Sequence, residues 1–154
     1  MPNEQASPAP LMISGKQFSM HPFTDKDIGE INNFLKAQII TTASDSALPG
    51  MPQMVVDSIM KAAMELTTKI DWLANPGQVE TIPAMLYMFW VSIRRGSTIT
   101  RQEFGDLMIL EWDANFKRGM ETLKLVNPTL LGVTEPAEKQ VEETPLADEN
   151  STTS

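Results

Sequence analysis

The chain has no cysteine among its 154 residues and only one histidine and one tyrosine. The first absence excludes disulfides, thiol nucleophiles and thiolate metal sites. His21 has no second histidine or cysteine with which to share a zinc ion, so a turn or core-edge role is expected for it. Long apolar runs are also lacking. The longest, Ile82 to Ile93, falls short of the roughly 20 residues that a bilayer span needs. Cations are sparse, with 12 Lys and Arg against 20 Asp and Glu and a formal net charge of -8. Phosphate binding runs on clustered Lys and Arg, so neither a nucleic acid nor an anionic membrane is expected as a partner. Gly29, Gly50, Gly77, Gly96 and Gly105 are isolated and build no phosphate loop. No Gly-x-Ser-x-Gly elbow and no Asp-x-Asp-x-Asp-Gly loop occurs. The carboxylates of Asp25, Asp27 and Glu30, and of Glu103 and Asp106, stand at helix starts, where they complement the helix dipole. No catalytic residue, cofactor or metal ligand is therefore expected, and the chain reads as non-enzymatic. The opening Met1-Pro-Asn-Glu-Gln-Ala-Ser-Pro lacks a basic region followed by an apolar run, so no signal peptide is expected there.

What the chain does have is helical periodicity. Hydrophobic residues make up 42% of it, enough for a core in a domain of this length. Residues 1–10 carry three prolines and read as a flexible arm. Two short apolar stretches around Ser14-Gly15-Lys16 predict a small β-hairpin. Thr24 is a good N-cap for a helix over about 25–41, with Ile28, Ile31, Leu35 and Ile39 at helical spacing. Thr42 to Gly50 reads as a loop. The stripe Val55, Ile59, Ala62, Leu66, Ile70, Leu73 predicts one long helix that Asn75-Pro76-Gly77 stops. Thr81 and Pro83 open a helix that is apolar on every side and so should be central, ending at Gly96. Thr100-x-x-Glu103 is a capping box for the next helix. A last helix, over about 111–126, shows Trp112, Phe116, Met120 and Leu123 before Asn127-Pro128; the pattern leaves open whether it continues the previous one. From Asn127 on there are no aromatics, and six acids face one lysine, which accounts for -5 of the total charge. The expected architecture is mainly α: four to five helices with an N-terminal β-hairpin in one domain over 11–126, and an acidic disordered tail over 127–154.

Two clusters suit partner contacts. On a wheel of about 100° per residue, Met54, Met64 and Trp72 fall opposite the main stripe of the second helix. Methionine and tryptophan suit adaptable contact surfaces, so a client or a second copy of the chain could bind there. A second layer of core covering that side is the alternative. Arg94 and Arg95, with Arg101 nearby, could contact an acidic peptide or could simply complement a helix C-terminus.

Four segments, Ile13-Ser-Gly-Lys-Gln-Phe18, Phe23-Thr-Asp-Lys-Asp-Ile28, Leu86-Tyr-Met-Phe-Trp-Val-Ser-Ile-Arg-Arg95 and Ile99-Thr-Arg-Gln-Glu-Phe104, stand in a recognisable order. Together they resemble the small tail assembly chaperones of long-tailed bacteriophages. The likeness is one of pattern over roughly residues 11–110. It implies a non-enzymatic protein of the host cell cytoplasm. Such a protein binds the tape-measure protein, keeps it soluble and helps to recruit tail-tube subunits. The alternative is a structural or adaptor protein retained in the virion, at the tail or the head–tail joint.

Overall fold

The computed structural model describes residues 7–132. The expected arm and acidic tail fall mostly on residues 1–6 and 133–154, which lie outside the described residues. The fold is mainly α with an N-terminal hairpin, as the periodicity predicts. The elements are β1 (Ala9–Ile13), β2 (Lys16–Met20), α1 (Asp25–Ser46), α2 (Gln53–Thr67), α3 (Ile82–Ile93), α4 (Arg101–Leu110) and α5 (Trp112–Val126). Short 3-10 turns occupy Pro76–Val79 and Arg94–Gly96. The described residues divide into two compact units, one of 7–23 with 92–132 and one of 24–91. The domain boundaries read from the sequence do not anticipate this division.

The first unit is built on the hairpin. Ser14 (φ 48°) and Gly15 (φ 81°) both adopt positive φ, the requirement of the two-residue turn that matches strand twist. Pairing Leu11 with Phe18 and Ile13 with Lys16 puts Leu11, Ile13, Phe18 and Met20 on one buried face. The Phe18 ring meets Phe104 of α4 edge-on, with centroids 5.6 Å apart. β1 begins at Ala9, so the strand includes the end of the expected arm.

Helices α4 and α5 are separate. They break at Glu111, whose backbone (φ -141°, ψ 66°) is not helical. The break leaves the last carbonyls of α4 without intrahelical donors. Asn115, fully buried, donates through Nδ2 to the Leu107 and Met108 carbonyls at 3.2 and 3.1 Å. The Ser14 hydroxyl donates to the Leu107 carbonyl at 2.7 Å, and the Ser14 N–H donates to Asn115 Oδ1 at 3.2 Å. The hairpin turn and α5 thus cap α4 jointly. The buried stripe of α5 is Asn115, Gly119, Leu123 and Val126. The expected stripe was rotated from this, because Trp112, Phe116 and Met120 are only half-buried. Small residues let α5 approach β1, and aromatic bulk moves to the margin. Asn127 does more than stop α5. Its Nδ2 donates to the Leu123 carbonyl at 3.0 Å and its Oδ1 accepts the Phe23 N–H at 2.8 Å. Asn127 is therefore part of the folded unit, and a short helical turn follows at Pro128–Gly132, where the sequence suggests the start of a disordered tail.

In the second unit, Thr24 and Asp27 form a capping box on α1: the Thr24 N–H donates to Asp27 Oδ2 at 3.0 Å and the Asp27 N–H to Thr24 Oγ1 at 3.1 Å. α1 runs to Ser46, beyond the expected end at 41. Ala43 continues the Ile31–Leu35–Ile39 register and is buried, and this packing outweighs the weak helix propensity of Thr41 and Thr42. α2 is shorter than expected. The Thr67 and Thr68 hydroxyls donate to the carbonyls of Met64 and Glu65 at 2.6 and 2.7 Å and take over the end of the helix. The spacing of Ile70 and Leu73 is therefore not helical register. α3 spans Ile82–Val91 in this unit, while Ser92 and Ile93 belong to the first. Ala84, Met88, Phe89 and Val91 are buried, whereas Leu86, Tyr87 and Trp90 are half-buried and Ile82 is exposed, so α3 is not enclosed on all sides.

Candidate partner-binding surface

The chemistry of the second unit's surface follows from how Trp72 sits. α2 has ended by Thr67, so Trp72 is on a turn and not on the helical wheel. That turn is held by Gln78, whose Oε1 accepts the Asp71 N–H at 2.9 Å and whose Nε2 donates to the Lys69 carbonyl at 3.1 Å. The Trp72 N–H donates to Asn32 Oδ1 at 3.1 Å, and the indole Nε1–H donates to the Ile28 carbonyl at 3.3 Å. With 1% of its surface exposed, Trp72 is core against α1 and offers no partner contact. This corrects the reading that groups it with Met54 and Met64. Those two are at the surface, 78% and 56% exposed.

The turn also seats α2 beside α1 with an open groove between them of about 640 Å³. Leu35, Ile39 and Ala43 of α1, Ile59, Ala62 and Leu66 of α2, and Ile70 line it. Gln38, Thr42, Gln78 and Thr81 supply the polar edge. No ionisable side chain lines it. Leu66 is 52% exposed, and Val55 and Leu73 of the predicted stripe are exposed as well. The only buried residue of α2 is Ala63. A groove of this composition can exclude water from an apolar partner.

The first unit places the arginines differently from the surface cluster expected. Arg95 Nη1 donates to the Pro22 carbonyl at 3.2 Å, which ties the 3-10 turn to the end of the hairpin. Arg94 is half-buried, and Arg101 begins α4. The same junction is closed by Ser92, whose hydroxyl donates to the His21 carbonyl at 2.6 Å, while the His21 N–H donates to the Ser92 carbonyl at 2.8 Å. Gly96 is not a left-handed helix cap, since Gly15 and Gly50 are the only positive-φ glycines among the described residues. A Cβ there would stand 3.3 Å from His21 Nε2, so glycine serves close approach. That nitrogen is buried and makes no hydrogen bond.

A smaller hollow of about 470 Å³ lies beside the α4 N-terminus, between Lys16, Ile99, Glu103, Asp106 and Leu110. Glu103 is committed to the capping box: Oε1 accepts the Thr100 N–H at 2.9 Å and Thr100 Oγ1 accepts the Glu103 N–H at 3.1 Å. The Thr100 backbone N–H, then its hydroxyl, hold the Glu103 carboxyl below its ordinary value. Among the described residues no three His, Asp or Glu side chains gather as a metal site.

No family model, curated protein or solved structure matches the chain. The surface must therefore be read from its own chemistry. No helix among the described residues is long and apolar enough to cross a membrane. Asn32, Gln78, Asn115 and Asn127 are the polar residues that sequence reasoning missed. Asn115 carries a signal in hindsight, because it falls on the same helical face as Gly119, Leu123 and Val126.

Proposed function

We propose that the chain is a non-enzymatic tail assembly chaperone that binds the tape-measure protein of a long-tailed phage in the host cytoplasm and assists tail-tube assembly. The observation that carries this reading is the α1–α2 groove, apolar along its length and free of ionisable lining residues. A chaperone for a long helical client needs to cover apolar helix faces without chemical selectivity. The aliphatic side chains that line the groove supply such contacts. The four segments that resemble the chaperone family support the same reading, and the excess of acid in the sequence supplies solubilising charge.

The test is co-expression with the tape-measure protein encoded by the same genome. The two proteins should co-purify, and Leu66→Glu should abolish the complex while leaving the helical signal in circular dichroism unchanged. Undiminished capture by Leu66→Glu would remove the groove from the interface. Mass spectrometry of purified virions decides between chaperone and adaptor, because a chaperone is absent from the particle and a retained adaptor is present.

A further inference from the structure

The outward side of α2 carries a pattern that the groove does not use. Met54, Asp57, Lys61 and Met64 are spaced by three, four and three residues, which places them on one helical face. All four are exposed. They lie away from Ala63, the single residue that α2 buries. The spacing Met-x-x-Asp-x-x-x-Lys-x-x-Met reads the same from either end, with acid and base exchanged.

We infer that this face pairs antiparallel with α2 of a second copy of the chain. A two-fold axis level with residue 59 sets Met54 against Met64 of the second copy and Asp57 against Lys61 of the second copy. The same contacts repeat on the other side of the axis. This is the isologous arrangement that two-fold symmetry requires. A parallel pairing in register would oppose Asp57 to Asp57 and Lys61 to Lys61, which charge disfavours. The monomer leaves the two charges free for the purpose. Among the described residues neither Asp57 nor Lys61 is in an ion pair, and the Asp57 carboxylate accepts from Gln53 Nε2 at 2.8 Å.

α2 also needs the support. Pro52 at its N-cap makes no side-chain bond, its first turn has no acid and its last turn no base. A helix of 15 residues with no side-chain cap at its N-terminus is marginal in water unless its faces are packed. The groove side remains open to a client in such a dimer, so the pairing and the client reading stand or fall separately.

Sedimentation equilibrium of the full chain at about 10–100 μM, without any client, tests the proposal in the micromolar range typical of modest interfaces. A dimer is expected. Asp57→Lys and Lys61→Asp should each weaken it at least about tenfold, since each puts two like-charge contacts across the axis. The double variant Asp57→Lys/Lys61→Asp should restore it. Circular dichroism should stay constant throughout, as all three changes are at exposed positions. Cross-linking provides a second readout if a charge variant unfolds. Met54→Cys with Met64→Cys, in a chain otherwise free of cysteine, should oxidise to a covalent dimer. Ten residues of helix separate the two positions by about 15 Å, too far for a disulfide within one chain. A monomeric wild type, a dimer indifferent to charge reversal, or cysteines that remain reduced would each overturn the pairing.

Discussion

Trp72 shows how much a single position changes meaning between chain and fold. By spacing it belongs with Met64; by structure the two have opposite roles. Trp72→Gln should cost about 3–5 kcal/mol, because it empties a packed site under α1 and removes the indole bond to the Ile28 carbonyl. Met64→Gln should change stability by no more than about 0.5 kcal/mol, as exposed substitutions do. Urea denaturation of the two variants side by side measures the contrast, and equal losses would contradict the burial described. Asn115 is the second position of this kind. Asn115→Ala leaves the Met108 carbonyl and the Ser14 N–H without their partners in a buried setting. The expected loss is about 3 kcal/mol, more than one hydrogen bond is worth, because unmade bonds keep their desolvation cost. Asn115→Asp should be no better, since a carboxylate cannot donate to the Leu107 and Met108 carbonyls.

At the scale of elements, helix ends explain where the boundaries fall. α1 and α4 each open on a capping box, and both starts are legible from Thr24-x-x-Asp27 and Thr100-x-x-Glu103. The α4 box has a pH signature. The Glu103 carboxyl is lowered in the folded chain by the Thr100 N–H and hydroxyl. A lowered carboxyl contributes stability that is complete above its ordinary value of 4.5 and is lost as pH falls through the folded value. Glu103→Gln keeps the Oε1 acceptor and removes the titration. Wild type should therefore exceed this variant in stability at pH 7, and the gap should close in acid below that range. Urea midpoints for both proteins at several pH values read it directly, and a gap constant with pH would mean the cap is insensitive to the charge. Helix C-termini depend more on other elements. α4 is capped by Ser14 and Asn115 from other elements, and no local sequence signal announces that.

Across the whole molecule, the two compact units are built on different terms. The unit of 7–23 and 92–132 closes its core around the hairpin, with Phe18, Phe104, Met108 and Leu123 buried. The unit of 24–91 keeps most of α2 at its surface and holds the open groove. A complex seated in that groove should respond weakly to salt. Its lining has no ionisable group, so the client affinity should change by less than about threefold between 50 and 500 mM NaCl, a range that screens exposed charge pairs strongly. Isothermal titration at the two salt concentrations measures this. A steep salt dependence would place the contact on charged surface outside the groove.

The sequence by itself determined the class of the fold and the starts of α1, α3 and α4. Hairpin turn, N-caps and prolines are local signals, set by backbone sterics and by donors within four residues of their acceptors. It also determined which hairpin residues share a face, because side chains alternate along a strand with a period of two. Only the tertiary structure decided which residues of α2 and α5 face inward, where α1 and α2 end, and that Trp72 belongs to the core. Those outcomes depend on contacts between residues far apart in the chain, such as Asn32 with Trp72 and Ser14 with Asn115. Helical spacing continues to count past the point where a helix has stopped. The competition between hydroxyl caps, buried amides and the next turn is settled in space, and periodicity along the chain carries no record of it.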